Sequence, residues 1–292
     1  MVQNMHIGIL STVLSPTLEG KVLPAIEKRG HTYEVLRPSS VEFSGLNKSN
    51  FVEALKKFDL VYYRTGLGIT GAYEVGKFLR DNNVPCVNFY HERYPYLQHK
   101  LWQMAFVSDA GVRVPKTVMS VHPNFNELQV LLGAPFIAKA DTGTHGSEVY
   151  KIETEKDLIS ISQDTESTLL YQEYVPHTHD YRVPMIGGKA VCPYARYPVD
   201  GEFRANVTLG GETKKIDATS IDEVVNVAEK IGALFNMGIL GIDLLPHAET
   251  GELYFTEVND NPGWKNVAKV LGNDPSEEVV NLFEDRVGFN SK

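Results

Sequence analysis

At 292 residues, with 28 lysines and arginines against 37 aspartates and glutamates, the chain is long enough for two or three packed lobes, and its formal charge of −9 disfavours nucleic acid as the main partner. Its two cysteines, Cys86 and Cys192, are too few and too far apart for a disulfide framework or a zinc site, so a reducing cytoplasm is expected. Met1 to Leu10 carries no basic n-region, and no stretch approaches the roughly 18 apolar residues of a membrane span, so neither secretion nor membrane insertion is expected.

His6 to Leu10 reads as an apolar strand, Leu18 to Lys28 as a helix closed by Gly30, and Tyr33 to Leu36 as a second strand. Phe51 to Lys57 reads as a helix, Leu60 to Tyr63 as a strand, Ala72 to Asp81 as a helix and Val87 to Phe89 as a strand. This alternation predicts a small α/β unit with a largely parallel sheet over residues 1–95. Gly66, Gly68 and Gly71 then spell GxGxxG between a strand and a helix, the dinucleotide fingerprint of a nicotinamide-dependent oxidoreductase. That fingerprint belongs to a first strand, whereas this is at least the third. The other reading is a tight turn lining a substrate cleft, with Arg64 available to a carboxylate.

From Gln98 to Ala110 the spacing of Leu97, Leu101, Met104 and Ala105 predicts a helix with Lys100 in its first turn, where a cation opposes the helix dipole. A mainly β segment is expected next, with strands at Thr117 to Val121, Pro135 to Ala140, Val149 to Ile152 and Leu169 to Val175. Gly187-Gly188 predicts a hairpin between Val183–Ile186 and Ala190–Tyr194. Ser220 to Phe235 predicts a helix, with Ser220 and Glu223 as a capping box and Val224, Val227, Ala228 and Ile231 as its buried face.

Near the C-terminus, Gly241-Ile242-Asp243 and Thr256-Glu257-Val258-Asn259 lie on two apolar runs joined by a short turn, so a hairpin would bring Asp243 beside Glu257 and Asn259. Two carboxylates and an amide oxygen are the hard donors that Mg²⁺ takes, with substrate phosphates completing its shell. Solvent-facing polar residues are the ordinary alternative, but the flanking Ile242, Leu244, Leu253 and Phe255 indicate buried strands, where charges need partners.

Lys139 precedes a loop, Asp141-Thr142-Gly143-Thr144-His145-Gly146-Ser147, whose glycines and hydroxyls could wrap phosphate; the alternative is an ordinary hairpin turn. His177 and His179 read as loop residues rather than metal ligands, for lack of a third ligand at a useful spacing. Arg182, Arg196 and Arg204, with Asn206 and Gly210-Gly211 behind them, supply planar cations suited to phosphate or carboxylate.

Taken in order, these pieces resemble the ATP-grasp superfamily, most closely its RimK-type carboxylate–amine ligases, with glutathione synthetase more distant. The matching residues run from Lys100 to Gly263: a lysine, a lysine before a glycine-rich loop, Gln172-Glu173, Asp180-Tyr181-Arg182-Val183, Arg204-Ala205-Asn206 and Asp243 with Glu257-Val258-Asn259 ahead of Pro262-Gly263. Many relatives place proline where this chain has Ala140. The resemblance implies an ATP-grasp fold of α/β class, with a pre-ATP-grasp domain over 1–95, a linker helix and lid lobe over 96–175, and a C-terminal lobe over 176–292. It implies that Lys100 and Lys139 bind ATP phosphates, that Thr142 to Ser147 close over them, that Glu173, Tyr174 and Val175 meet adenine, and that Asp180 takes the ribose. Asp243, Glu257 and Asn259 would hold two Mg²⁺ ions, or Mn²⁺ in their place. Arg182, Arg204 and Asn206 would face the γ-phosphate and an acyl phosphate, leaving Arg64 and Arg196 for substrate. The implied reaction joins a small-molecule carboxylate such as glutamate to a small-molecule or peptide amine, releasing ADP and phosphate, in a cytoplasmic dimer or tetramer. A ligase of the same fold acting on a carrier protein, as in lysine biosynthesis, is the alternative.

Overall fold

The structure is a computed structural model that describes residues 4–37, 50–65, 68–91, 93–143, 148–164, 168–205, 211–264, 271–272 and 274–289. In the first lobe, β1 (His6–Ser11), α1 (Leu23–Lys28), β2 (Thr32–Leu36), α2 (Asn50–Ala54), β3 (Leu60–Thr65), α3 (Gly68–Asp81) and β4 (Cys86–Val87) alternate along the chain. Their strands form a wholly parallel sheet in the order β2-β1-β3-β4. Helices on both faces explain the continuous apolar reading of these strands: Leu18, Val22 and Ile26 cover one side, and Val52, Leu55, Val75 and Leu79 the other.

After α4 (Lys100–Asp109), a second lobe holds β5 (Thr117–Met119), α5 (Phe125–Leu132), β6 (Phe136–Ala140), β7 (Val149–Ile152), α6 (Glu155–Asp164) and β8 (Leu169–Glu173), in sheet order β5-β8-β6-β7. The expected β segment therefore contains two helices. Both carry local start signals: Asn124 caps α5 by accepting from the Glu127 N–H at 3.1 Å, and Asp157 reaches back to the Thr154 N–H at 2.8 Å ahead of α6. Leu128, Leu132, Leu158 and Ile161 from these helices cover one face of the sheet, against Phe136, Ala138 and Tyr171. Strand alternation leaves Ile137, Lys139 and Gln172 on the other face.

The third lobe comprises β9 (Asp180–Ile186), β10 (Lys189–Ala190), β11 (Tyr194–Tyr197), β12 (Glu212–Lys215), α7 (Ile221–Phe235), β13 (Ile239–Pro246), β14 (Leu253–Asn259) and α8 (Ser276–Phe289). Its antiparallel sheet runs β12-β11-β9-β13-β14, with the β9–β10 hairpin formed where Gly187-Gly188 stand. One face packs on α7, through Val224, Ala228, Ile231 and Phe235, and on α4, through Met104 and Val107. The linker helix thus shares its core with the third sheet. The capping box expected at α7 is absent: Ser220 makes no side-chain cap bond. Among the described residues, no helix is long and apolar enough to cross a membrane.

Candidate active site

The face of the third sheet turned away from α7 carries its charges. β13 and β14 are antiparallel with Asp243 directly opposite Glu257 and Gly241 opposite Asn259. Strict alternation from Leu253 and Phe255, both in the core, would bury Glu257 on the same side. It does not, because the register shifts: Leu244 pairs with Phe255 and Asp243 with Glu257, leaving Thr256 as an extra residue. This bulge turns Glu257 and Asn259 to the charged face, while Val258 rejoins the core. The Thr256 hydroxyl secures it by donating to the Asp243 carbonyl at 3.1 Å.

Asp243 is also opposite Arg182 on β9, and Arg196 on β11 is opposite Asp180. The four side chains form one buried ion network. Arg196 grips both Asp180 oxygens at 2.7 Å and donates to Asp243 Oδ2 at 3.0 Å; Arg182 donates to the same Oδ2 at 2.9 Å, and its Nε pairs with Oδ1. Such a network offsets the cost of burying charge only while every member is present. Gly241 makes room for it: a Cβ there would lie 2.9 Å from Arg182 Nη1 and 3.0 Å from Pro262 Cβ.

Two of the expected site residues are partnered within the sheet. Arg196, expected at substrate, has its guanidinium engaged by Asp180 and Asp243. Asp180, expected at a ribose, has both oxygens accepting from Arg196. Arg204 likewise has a partner: Glu202 holds it through Nε at 3.1 Å and Nη2 at 2.7 Å, and this pairing draws the Glu202 carboxyl down to about 2. Glu202 was not anticipated. Asn206, Gly210 and Thr144 to Ser147, like Gly66 of the glycine fingerprint, lie outside the described residues.

Both lysines meet these carboxylates from the side. Lys100 Nζ donates to the Gly143 carbonyl at 3.0 Å and lies 4.0 Å from Glu257 Oε2. Lys139 is buried on β6, and desolvation lowers its ammonium to about 8, opposed by Glu257 and reinforced by Lys100. Glu257 moves the other way. Burial and then the facing Asp243 raise its carboxyl, against Lys100, Arg182 and Lys139.

Asp141, overlooked in the sequence, ties this arrangement together. No side chain of its own N-cap His99 caps α4; instead Asp141 Oδ1 accepts from the Leu101 N–H at 2.9 Å, Oδ2 meets His99 Nδ1 at 2.6 Å, and the Asp141 carbonyl accepts from the Lys100 N–H at 2.9 Å. A carboxylate at this helix start also offsets the misplaced lysine. Thr142 follows it at the exposed start of the loop.

At the expected adenine hinge, the Glu173 side chain turns back to the Lys116 N–H at 2.8 Å, the Glu173 N–H donates to the Lys116 carbonyl, and the Val175 carbonyl faces His177 Nδ1 at 2.7 Å. Tyr174 is half-buried, with Lys151 Nζ 5.3 Å over its ring. Arg64, the other substrate candidate, is buried on β3, donating to the Tyr62 hydroxyl at 2.9 Å and reaching Ser15 Oγ at 3.4 Å.

Residues 98–283 match the family model described as a RimK-like ATP-grasp domain. A probable alpha-L-glutamate ligase of Maridesulfovibrio salexigens is 27% identical over 293 residues, covering 96% of this chain and 95% of that protein, and one of Aliivibrio fischeri is 27% identical over 300 residues with the same coverage. Among solved structures, a RimK domain ATP-grasp protein from Sphaerobacter thermophilus superposes with a TM-score of 0.72 at 15% identity, covering 95% of this chain and 98% of that one. The D-alanine–D-alanine ligase of Bacillus anthracis gives 0.68 at 16% identity, covering 98% and 99%.

Proposed function

The chain belongs to the RimK-like ATP-grasp family, ligases that use ATP to join a carboxylate to an amine, and from that premise we propose that it attaches glutamate, or a close amino-acid relative, to the amine of a small molecule or peptide. The choice of glutamate follows the names of its curated relatives. The observation that best supports the site is the meeting of Asp243 and Glu257 on facing strands with Lys100 and Lys139 beside them.

In this reading the polyphosphate of ATP lies between the second and third sheets. Lys100 and Lys139 neutralise its α and β phosphates, the loop from Thr142 to Ser147 covers them, and Arg182, Arg204 and Asn206 face the γ-phosphate. Arg204 exchanges Glu202 for that anion. The Tyr174 carbonyl and Val175 N–H, between hinge groups already engaged, meet adenine. Asp180 acts chiefly by holding Arg196, and through it Asp243.

The donor set fits Mg²⁺. Asp243, Glu257 and the Asn259 amide are the donors that would hold it, Asp243 sharing its oxygens with Arg182 and Arg196 and the Asn259 Oδ1 with the Asn261 N–H. Burial and the facing Asp243 raise the Glu257 carboxyl, and a dication bound beside it would favour its charged form. Bound there, the metal would neutralise charge between carboxylates and phosphates.

The substrate carboxylate attacks the γ-phosphorus, forming an acyl phosphate and releasing ADP; the amine then attacks the acyl carbon, loses a proton and expels phosphate. Two anions meet in the first step, so the lysines and arginines contribute by cancelling their repulsion.

Phosphate and ADP release from Mg-ATP, screened over amino acids paired with amines, tests this reading. Release that requires glutamate and one class of amine is the expected result. Formation of AMP and pyrophosphate, or release with no dependence on any carboxylate, overturns it.

A further inference from the structure

The ladder between β13 and β14 ends at the pair of Gly241 with Asn259. Just beyond that pair, a side chain of the first lobe joins the two strands. Asn88 Nδ2 donates to the Ile239 carbonyl at 2.9 Å and to the Asp260 carbonyl at 3.1 Å, while Oδ1 accepts from the Ile239 N–H at 2.9 Å. The amide thus places both its N–H donors and its acceptor on backbone groups of the two strands. It serves as one more rung of the ladder, supplied from a different lobe.

The local structure is built for this side chain. Asn88 follows β4, is buried, and stands at φ 65°, in the left-handed region that asparagine tolerates better than most residues. Gly238 leaves it room: a Cβ there would lie 2.7 Å from Val87 Cγ1 and 3.3 Å from Asn88 Oδ1. Two residues on, the Tyr90 hydroxyl bonds Asp260 Oδ2. One loop of the first lobe therefore holds Asp260 by its carbonyl and by its carboxyl.

That hold bears on the residue before it. Asn259 Oδ1 accepts from the Asn261 N–H at 3.0 Å, across the Asp260 that Asn88 fixes. Val258, on the other side of Asn259, is bonded by the Gln103 amide of α4. Asn259 stands between two anchored neighbours, one of them anchored from the first lobe. Mg²⁺ requires near-ideal octahedral placement of its oxygen donors at about 2.0–2.1 Å, whereas Ca²⁺ accepts looser geometry at about 2.3–2.6 Å. A small displacement of this strand end would then cost the smaller ion more.

We propose that Asn88 is a positioning residue for the divalent cation: through Asp260 it sets the place of the Asn259 amide, and so ties the cation site of the third lobe to the first. The inference rests on the reading of Asp243, Glu257 and Asn259 as metal donors, and not on the identity of the substrates.

The test is calorimetric titration of ADP into full-length protein at stepped concentrations of free Mg²⁺ or Ca²⁺, which gives the midpoint of each cation's effect without turnover. N88G keeps the left-handed backbone unstrained and removes the amide. Its Mg²⁺ midpoint is expected to rise about tenfold, the scale of losing a group that orients a metal ligand, with the Ca²⁺ midpoint moving less and the cation-free ADP affinity unchanged. If N88G is too unstable to measure, N88D, which keeps the bond from the Ile239 N–H and loses the one to the Asp260 carbonyl, is expected to move the Mg²⁺ midpoint in the same direction. An unchanged Mg²⁺ midpoint in a folded variant, or equal displacement of both cations, overturns the proposal. Wild-type ADP affinity that is indifferent to Mg²⁺ overturns it together with the metal reading. The expected shift in a protein that turns over no amino acid and amine upholds the positioning role and discards the ligase reading alone.

Discussion

Asp243 and Glu257 stand directly opposite each other on neighbouring strands, yet two arginines hold the first by hydrogen bonds while Lys100 stands 4.0 Å from the second. The pair is therefore electrostatically lopsided, and Glu257 holds its proton more tightly than an ordinary carboxyl. Glu257→Gln keeps the shape and removes the charge. ADP formation is expected to fall at least about a hundredfold, the scale of losing one preorganised electrostatic contact, with melting temperature unchanged or raised. Coupled-assay rates and a thermal melt check both halves.

Burial sets the Lys139 ammonium at about 8. The unfolded chain therefore holds more protons than the folded one between that pH and the ordinary lysine value of about 10.4, so this group's contribution to stability rises as pH climbs through the window. Anion affinity runs the opposite way, because the charge that grips phosphate disappears above pH 8. The KM for ATP should rise between pH 7.5 and 9, with proton uptake on Mg-ADP binding near pH 8 seen by calorimetry in buffers of different ionisation enthalpy; Lys139→Arg should abolish both.

The bulge at Thr256 decides which way Glu257 points. Deleting Thr256 removes the extra residue, so that Glu257 directly follows Phe255 and ordinary alternation keeps its carboxylate on the charged face; the deletion variant is expected to retain ADP formation. Thr256→Val retains the residue count and loses one hydrogen bond, for a stability cost of about 1 kcal/mol and most of the activity kept. Loss of ADP formation in the deletion variant, with Thr256→Val still active, would show that the bulge does more than set the facing of Glu257.

Gly241→Ala places a methyl group against Arg182 and Pro262. Overpacking of this kind costs about 1–3 kcal/mol, and the displaced guanidinium should lower kcat more than it raises the KM for ATP. Denaturant unfolding and steady-state kinetics read the two effects separately.

Arg196→Lys keeps the charge and loses the two-point grip on Asp180 and the bond to Asp243. Breaking a buried network from one side costs about 3–5 kcal/mol, so a large drop in the urea midpoint is expected. A replacement of substrate-binding type would instead raise one KM and spare stability.

Much of the site was legible because the chemistry leaves local marks. Lys100 stands in a first turn where a cation is unfavourable, and Asp243 and Glu257 interrupt apolar runs. What the sequence did not disclose was relational. The bulge at Thr256 exists only in the pairing of β13 with β14, and Arg196 reads as a free cation until β11 is laid beside β9. Asp141 looks like a loop residue unless α4 is brought to it from 40 positions earlier. The helices α5 and α6 are a different case: Asn124 with Gly133, and Thr154 with Asp157, are ordinary start and stop signals, outweighed by the strands on either side of them. The capping box expected at Ser220 does not form, since its side chain makes no cap bond.

The helix α4 belongs to two bodies at once. Its middle is fastened to the third sheet, where the Gln103 amide exchanges hydrogen bonds with both the N–H and the carbonyl of Val258. Its first turn is fastened to the second sheet by Asp141. Any swing of one sheet against the other would then have to carry Lys100 along or tear that first turn free, so the position of this ammonium is set by both sheets together and by neither alone.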